Sequence, residues 1–198
     1  MEISAKMVKD LREKTGLGMM DCKKALQETN GDIEKAVEYL RKSGALKAAK
    51  REGRATSEGR IGSYIHMGGK IGVMVELKCE SDFVAKTDRF AELLKDLCMQ
   101  VAASAPLWIA PEEVPEEVVN KEKEIYMSQA RDQGKPEKIL EKIAEGRLKK
   151  FYSEVCLLEQ PFVKDTDKTV RQLINETIAQ LGENMTVGRF VRYQLGQN

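Results

Sequence analysis

The sequence predicts an α+β fold, in which a three-helix N-terminal domain is followed by a core of helices packed on a small antiparallel sheet. Apolar residues recur every three or four positions in the first fifty residues, which predicts short helices. A strict two-residue alternation over 71–79 predicts a strand, and strand-forming residues return near the C-terminus. Because strands lie at both ends of a helical stretch without regular alternation of strand and helix, the pattern favours α+β.

The first helical segment contains three short helices. Ser4 is a suitable N-cap for a helix over residues 5–15, and glycines follow it. A second helix is predicted over 19–29, before an Asn-Gly stop signal. Asp32 is placed to cap a third helix, and Gly44 is expected to follow its last residue. Three helices with connections this short form a compact domain.

A basic segment over 41–60 follows the three helices and has a weak apolar pattern, so we expect a partly helical linker. The predicted division is a three-helix domain with this linker over 1–55 and a core domain over 56–198. The functional alternative for the basic segment is an RNA-binding module. Its candidate residues are Lys47, Lys50, Arg51, Arg54 and Arg60.

A β-hairpin is predicted next, with its turn at Gly68-Gly69-Lys70. Alternating apolar residues precede the turn, and the strand over 71–79 places its odd-numbered residues on one face. The tail from Val187 to Leu195 has strand composition. Its residues expected to face inward are Val187, Val191, Tyr193 and Leu195.

Four further helices are predicted between the hairpin and the tail. The first has a buried stripe over 90–101, and the second begins at Pro115, which suits a first helical turn. A third, long helix starts after Pro136, and its apolar stripe extends to Leu158. Asp167 is placed to cap the last helix, whose apolar residues are Val170, Leu173, Ile174, Ile178 and Leu181.

The composition argues against several functional classes. The net charge is +1, which does not support general attraction to nucleic acid or to anionic lipid. The sequence has no run of about eighteen apolar residues and a polar start, so we expect a cytoplasmic protein without a membrane span. The four cysteines lie far apart and form no metal or redox motif. Because His66 is the single histidine, the remaining enzymatic hypothesis is a small hydrolase that uses it.

Two short stretches break the burial pattern. Met19 and Met20 are consecutive, and both cannot face the core of so small a domain, so one is expected near the surface. The alternative is that both are half-buried against the linker. Phe83 follows the end of the strand alternation. It is either the first core residue of the next helix or an exposed aromatic side chain that binds a partner.

The sequence resembles the bacterial elongation factor Ts family nearly from end to end. The Thr-Gly-Leu-Gly-Met-Met stretch at residues 15–20 and the Ser-Asp-Phe-Val stretch at residues 81–84 are its most specific signatures. The matching segments are Val8–Arg12, Thr15–Leu26, Gly31–Ala36, Cys79–Ala85, Leu157–Phe162 and Gly188–Tyr193.

This resemblance implies a UBA-like three-helix domain, an α+β core and a role as guanine-nucleotide exchange factor for elongation factor Tu. In the family, the Asp-Phe pair contacts the G domain of the partner and displaces its Mg²⁺. The matching residues here are Ser81, Asp82, Phe83 and Val84. Met19 and Met20 correspond to a second contact surface on the N-terminal domain.

The resemblance also implies what the protein does not do. No bond is made or broken in nucleotide exchange, so the protein is expected not to be an enzyme and to need no cofactor or metal. No direct contact with nucleic acid or membrane is expected. Longer family members have two core halves, whereas this chain has one, which leads us to expect a homodimer at least in the complex with the partner. Ser81 stands where the family motif usually has Thr, and the hydroxyl is retained.

Overall fold

The computed structural model describes residues 3–197 and has the α+β architecture that the sequence predicts. Within these residues there are eight α-helices and five strands. The helices are α1 (Ala5–Thr15), α2 (Met19–Glu28), α3 (Ile33–Ala49), α4 (Asp82–Ala85), α5 (Asp88–Ser104), α6 (Glu116–Asp132), α7 (Glu137–Val155) and α8 (Val170–Leu181). The strands are β1 (Glu58–Ile65), β2 (Ile71–Cys79), β3 (Pro161–Phe162), β4 (Asp165–Thr169) and β5 (Met185–Gln194).

Helix α1 has the predicted bounds, and α2 ends at Glu28, one residue before its predicted end, because the start and stop signals of the N-terminal helices act locally. The Ser4 hydroxyl accepts a hydrogen bond from the amide of Met7 and thereby caps α1. Gly16 has a φ of +66°, the left-handed conformation that ends helices at little cost for glycine. Asp32 caps α3 by accepting a hydrogen bond from the amide of Lys35. These three predicted signals are confirmed.

Helix α3 does not end before Gly44, and that expectation was wrong. It continues to Ala49 and takes up part of the predicted linker. A glycine inside a helix costs only about 1 kcal/mol relative to alanine, and strong helix formers follow it here. Gly44 is also buried, and a Cβ at this position would lie 3.5 Å from the Cβ of Ala179. Burial of this stretch of α3 therefore outweighs the unfavourable propensity of one residue.

The larger sheet has three strands in the order β1-β2-β5. The hairpin closes where the amide of His66 donates to the carbonyl of Ile71. The predicted inward face of β2 is confirmed, since its buried side chains are Val73, Val75, Leu77 and Cys79.

The prediction for the inward face of β5 was wrong. Val187 is half-buried, but Val191, Tyr193 and Leu195 are exposed. Arg192, between them, reaches the carbonyl of Ala102 in α5. Alternation shows which residues share a face but not which face is buried, and a shift of one residue exchanges the two.

The helices of the middle segment largely follow the predictions. The stripe of α5 is buried, and α6 begins directly after Pro115. Helix α7 ends at Val155, so Leu158 lies in a short 3-10 turn instead. Asp167 does not cap α8, because it lies in β4, which pairs with β3 and runs directly into that helix. This two-stranded hairpin was not predicted from the sequence, because its strands have only two and five residues.

The described residues group into two compact units. The first unit contains 3–61, 76–94 and 172–188, and the second contains 62–75, 95–171 and 189–197. In the first unit, the three N-terminal helices share one apolar cluster. Its buried members are Val8, Leu11, Cys22, Ala25, Leu26, Ala36 and Leu40. The division into domains over 1–55 and 56–198 stays a prediction, and residues 1, 2 and 198 lie outside the described range.

In the second unit, helices α6 and α7 form a helical hairpin that ion pairs connect. Lys123 pairs with Glu141 at 2.8 Å, and Arg131 pairs with Glu137 at 2.7 Å. The side-chain amide of Gln100, buried in α5, donates to Gln160 and accepts from the backbone of Val163, so this polar side chain is satisfied.

Among the described residues, no helix has both the length and the apolarity needed to cross a membrane.

Two glycines provide a matched test of these packing arguments. Gly44→Ala should raise the free energy of unfolding by about 0.5–1 kcal/mol, because the helix gains propensity and the added methyl meets ordinary contacts. Gly59→Ala should lower it by at least about 2 kcal/mol, because Gly59 has a φ of +144° and its Cβ would lie within 3 Å of the Leu77 and Lys78 backbone. Urea unfolding of both variants measures the difference. Destabilisation by Gly44→Ala would contradict the continuous helix α3.

Candidate functional site

Phe83 lies on α4, a helix of four residues, and points into solvent. Its side chain is 79% exposed, while the next two residues, Val84 and Ala85, are buried. The first aromatic core residue after the sheet is Phe90, which is fully buried in α5. The interpretation of Phe83 as the first core residue of the next helix was therefore wrong. An exposed Phe directly before two buried residues is a feature expected of a binding surface.

Reciprocal hydrogen bonds to two carboxylates hold the segment that carries Phe83. Glu183 accepts both from the amide of Ser81, at 3.0 Å, and from its hydroxyl, at 2.6 Å. In return, Glu80 accepts from the amide of Asn184 at 2.6 Å. The side-chain amide of Asn184 also donates to the carbonyl of Arg54, at 3.0 Å. Hydrogen bonds to ionised acceptors are among the stronger ones in proteins. Glu80 and Ser81 are therefore firmly paired with Asn184 and Glu183, respectively.

Ser81 has a second role as the N-cap of α4. While its hydroxyl donates to Glu183, its oxygen accepts a hydrogen bond from the amide of Val84 at 3.5 Å. The thiol of Cys79 donates to the Ser81 carbonyl at 3.1 Å, and burial raises the pKa of this thiol, which keeps it protonated at neutral pH. Every polar group of Ser81 thus has a partner that restricts how α4 leaves the sheet.

Asp82 is half-exposed beside Phe83 and forms an ion pair with Lys86, one turn later. The hydrogen bond from Lys86 holds the pKa of Asp82 below its ordinary value. An exposed pair of this kind contributes little to stability. The pairing does fix a negative carboxylate next to the exposed ring, where it can orient an approaching partner.

Met19 and Met20 begin helix α2 and are both exposed, by 54% and 77%. The alternative in which both are half-buried was wrong. Gly18 precedes them as an N-cap without a side-chain hydrogen bond. The junction from Thr15 to Gly18 is instead fixed by the side chain of Thr15. Its hydroxyl donates to the backbone carbonyl of Leu11 and accepts from the backbone amide of Leu17.

One face of α8 and the turn after it contact the N-terminal helices within the first unit. The contacts recur at the spacing of one helix face. The pairs are Glu176 with Arg41, Ala179 with Gly44, Gln180 with the carbonyl of Thr15, and the carbonyl of Gly182 with Arg51. These residues of α8 and of the turn after it were not predicted from the sequence, since their partners lie more than 130 positions away and no local signal marks them.

The alternatives for the basic segment and for His66 find little support. Lys47 pairs with Asp21 at 2.8 Å, Arg51 donates to the carbonyl of Gly182, and Arg54 lies 3.5 Å from Glu80. Three of the five cationic groups of the RNA-binding hypothesis are therefore used within the chain. The imidazole of His66 contacts Tyr64 at 3.0 Å on the exposed hairpin. Over residues 3–197, no group of three or more His, Cys, Asp or Glu side chains is placed to hold a metal ion.

Comparisons with known proteins support the resemblance seen in the motifs. The family model described as "Elongation factor TS" matches residues 4–197. The chain is 61% identical to elongation factor Ts of Maridesulfovibrio salexigens over 197 residues, which covers 100% of this chain and 96% of the relative. It is 63% identical to elongation factor Ts of Moorella thermoacetica over 195 residues, covering 98% and 96%. With elongation factor Ts of Syntrophomonas wolfei the identity is 61%, over 98% of this chain and 91% of the relative.

Ser81 allows a test of the pairing around α4. Ser81→Ala should lower the free energy of unfolding by about 1–2 kcal/mol, because it removes the cap of α4 and the hydroxyl bond to Glu183. Ser81→Thr, which retains the hydroxyl, should change it by less than about 0.5 kcal/mol. Urea unfolding gives both values. Equal stability of the Ala and Thr variants would show that the hydroxyl does not hold the segment.

Proposed function

This chain belongs to the elongation factor Ts family of translation elongation factors, and we propose that it binds elongation factor Tu and promotes the release of GDP from it. The observation that carries the proposal is the exposure of the aromatic side chain of Phe83 on the short helix α4. Ser81, the residue before this helix, is paired with Glu183. In the proposed complex, the ring enters the G domain of the partner and displaces the groups that hold its Mg²⁺.

The physical basis of exchange is the strict geometry of the partner's own ion. Mg²⁺ requires near-octahedral oxygen ligands at about 2.1 Å, so a small displacement of its ligands weakens the site. A protein that binds the nucleotide-free partner more tightly than the GDP-bound one must weaken GDP binding by the same factor. Exchange therefore follows from differential binding alone. On this proposal the chain is not an enzyme and needs no cofactor or metal of its own.

The residues around Phe83 have distinct roles in this proposal. We call the exposed ring of Phe83 the wedge, and the segment Ser81–Val84 that carries it the wedge segment. Ser81 and Val84 anchor the ends of this segment, the first through Glu183 and the second through burial. Asp82 provides a fixed negative charge at the rim of the contact. A rigid wedge loses less conformational entropy on binding than a mobile one, which strengthens the complex. Met19 and Met20 form the second contact surface, where adaptable thioether side chains suit a protein interface.

A homodimer is a further part of the proposal. Exposed apolar side chains are concentrated on the strands of the second unit, where monomeric proteins usually place polar residues. They are Ile65, Met74, Val191 and Tyr193. A second copy of the chain that covers this sheet surface would supply the second core that longer family members contain. A cytoplasmic location, where translation takes place, belongs to the same proposal.

Phe83→Ala tests the wedge directly. We expect this variant to weaken binding to nucleotide-free elongation factor Tu by roughly 2 kcal/mol or more, as for an aromatic hot spot, and to reduce the acceleration of GDP release in parallel. Its unfolding midpoint should stay near that of the wild type, because the ring is exposed. Release of fluorescent GDP from elongation factor Tu, with and without the variant, provides the measurement.

The matched control for this test is Leu107→Ala, which also removes an exposed apolar side chain, but from the second unit and not from the unit that contains Phe83. It should release GDP at the wild-type rate. Wild-type acceleration by folded Phe83→Ala would refute the wedge, and failure of the wild-type chain to release GDP would refute the exchange function itself.

The homodimer has a separate test. Light scattering at micromolar concentration should give about twice the chain mass of 22.3 kDa. Tyr193→Glu, which places a charge on the exposed strand surface, should shift the mass to that of one chain, because an unpaired charge at an interface core costs several kcal/mol. A monomeric wild-type chain, alone and in the complex, would contradict this part of the proposal.

A further inference from the structure

A chain of hydrogen bonds within the first unit joins the junction before Met19 to the start of α5. The side-chain amide nitrogen of Gln180 donates to the carbonyl of Thr15 at 2.7 Å. Its amide oxygen accepts from Nε of Arg89, also at 2.7 Å. The guanidinium of Arg89 also donates to the buried hydroxyl of Thr177, at 3.2 Å. Helix α8 therefore bonds both to the Thr15 carbonyl and to Arg89.

The chemistry of the two neighbours determines that an amide is required at position 180. A backbone carbonyl can only accept, and a guanidinium can only donate. The side chain between them must therefore offer one donor and one acceptor, which glutamine does. Glutamate could accept from Arg89 but would place a second acceptor against the Thr15 carbonyl. The side-chain nitrogen of Gln180 also lies 2.8 Å from where a Cβ on Gly16 would be, so Gln180 packs closely against the glycine of this junction.

Both ends of this series of hydrogen bonds, at Thr15 and at Arg89, connect to the proposed contact surfaces through short segments. Thr15 ends α1, and only three residues separate it from Met19. Arg89 is in the first turn of α5, and the Thr87 hydroxyl joins that helix to α4 by donating to the Val84 carbonyl and accepting from the amide of Phe90. Each end of these linked hydrogen bonds therefore lies within about two helical turns of an exposed apolar side chain, Met19 at one end and Phe83 at the other.

We propose that Gln180 and Arg89 are positioning residues that fix the distance between the methionine surface, Met19 and Met20, and the wedge, Phe83, so that both engage one molecule of the partner at the same time. This inference rests on the proposed function. Neither residue needs to touch the partner. Their effect is that, once one surface has bound, the other is held at a high effective concentration over its own site. Loosening the connection lowers that concentration without removing a contact.

This arrangement makes a prediction that a purely structural role does not. If the two surfaces are held at a fixed spacing, they bind cooperatively, and removal of one weakens the contribution of the other. When the spacing is loosened, the methionine surface contributes less to begin with. The cost of removing it should therefore become smaller. A residue that only stabilises the fold would change the fraction of folded chains and leave this cost unchanged.

The test uses Gln180→Glu, which keeps the acceptor for Arg89 and loses the donor to Thr15. Gln133→Glu, in the exposed turn after α6, is the control with the same change of charge. Each is combined with the Met19→Ala, Met20→Ala pair, and affinity for nucleotide-free elongation factor Tu is measured per folded molecule. Arg89→Gln tests the other end of the linked hydrogen bonds, at α5, and serves as a second variant if Gln180→Glu unfolds.

Gln180→Glu should weaken binding about tenfold, and the methionine pair should cost about tenfold in the wild type but less than about threefold in the Gln180→Glu background. Arg89→Gln should have the same effect, and Gln133→Glu should match the wild type. Hydrogen exchange of the amides of residues 16–20 should also accelerate in Gln180→Glu. Equal costs of the methionine pair in all backgrounds would overturn the inference while wild-type GDP release still stands. If the wild-type chain releases no GDP, the proposed function fails and the inference fails with it.

Discussion

Two carboxylates, Glu80 and Glu183, each accept a backbone amide from the segment to which the other belongs. This reciprocal pairing joins the end of β2 to the turn after α8, two segments about a hundred positions apart in the sequence. Phe83 follows one of the paired residues by only two positions. The direction in which its ring leaves the protein therefore depends on a contact that the wedge segment cannot form by itself.

Helix α8, which leads into this paired turn, also contacts the N-terminal helices and the start of α5. Its side chains at 176, 179 and 180 contact the N-terminal helices, while Thr177 and Gln180 contact Arg89 at the start of α5. The two candidate contact surfaces are thus attached to one helix. Nucleotide exchange by differential binding requires that binding energy be used to distort the partner and not to order the exchange factor. A single rigid support for both surfaces meets that requirement.

Local signals allowed much of the fold to be predicted. Caps at Ser4 and Asp32, the glycine at 16 and the alternation along β2 act over a few residues, and the structure confirms them. Predictions failed where tertiary packing decides: Gly44 continues a helix because it is buried, and β5 exposes the residues expected inside. The motifs located Phe83 and the two methionines, but not Gln180, Glu183 or Asn184, whose partners are distant in sequence.

The two carboxylate contacts hold the wedge segment in place before any partner binds. Native-state hydrogen exchange of the free chain tests this most directly, because the amides of Ser81 and Asn184 are the donors to the two carboxylates. We expect both amides to be protected and to exchange at similar rates, and we expect Glu183→Gln to accelerate exchange at Ser81 more than at the core amides of α5. Exchange of the Ser81 and Asn184 amides at the rate of an unstructured peptide would instead mean that Phe83 becomes ordered only in the complex.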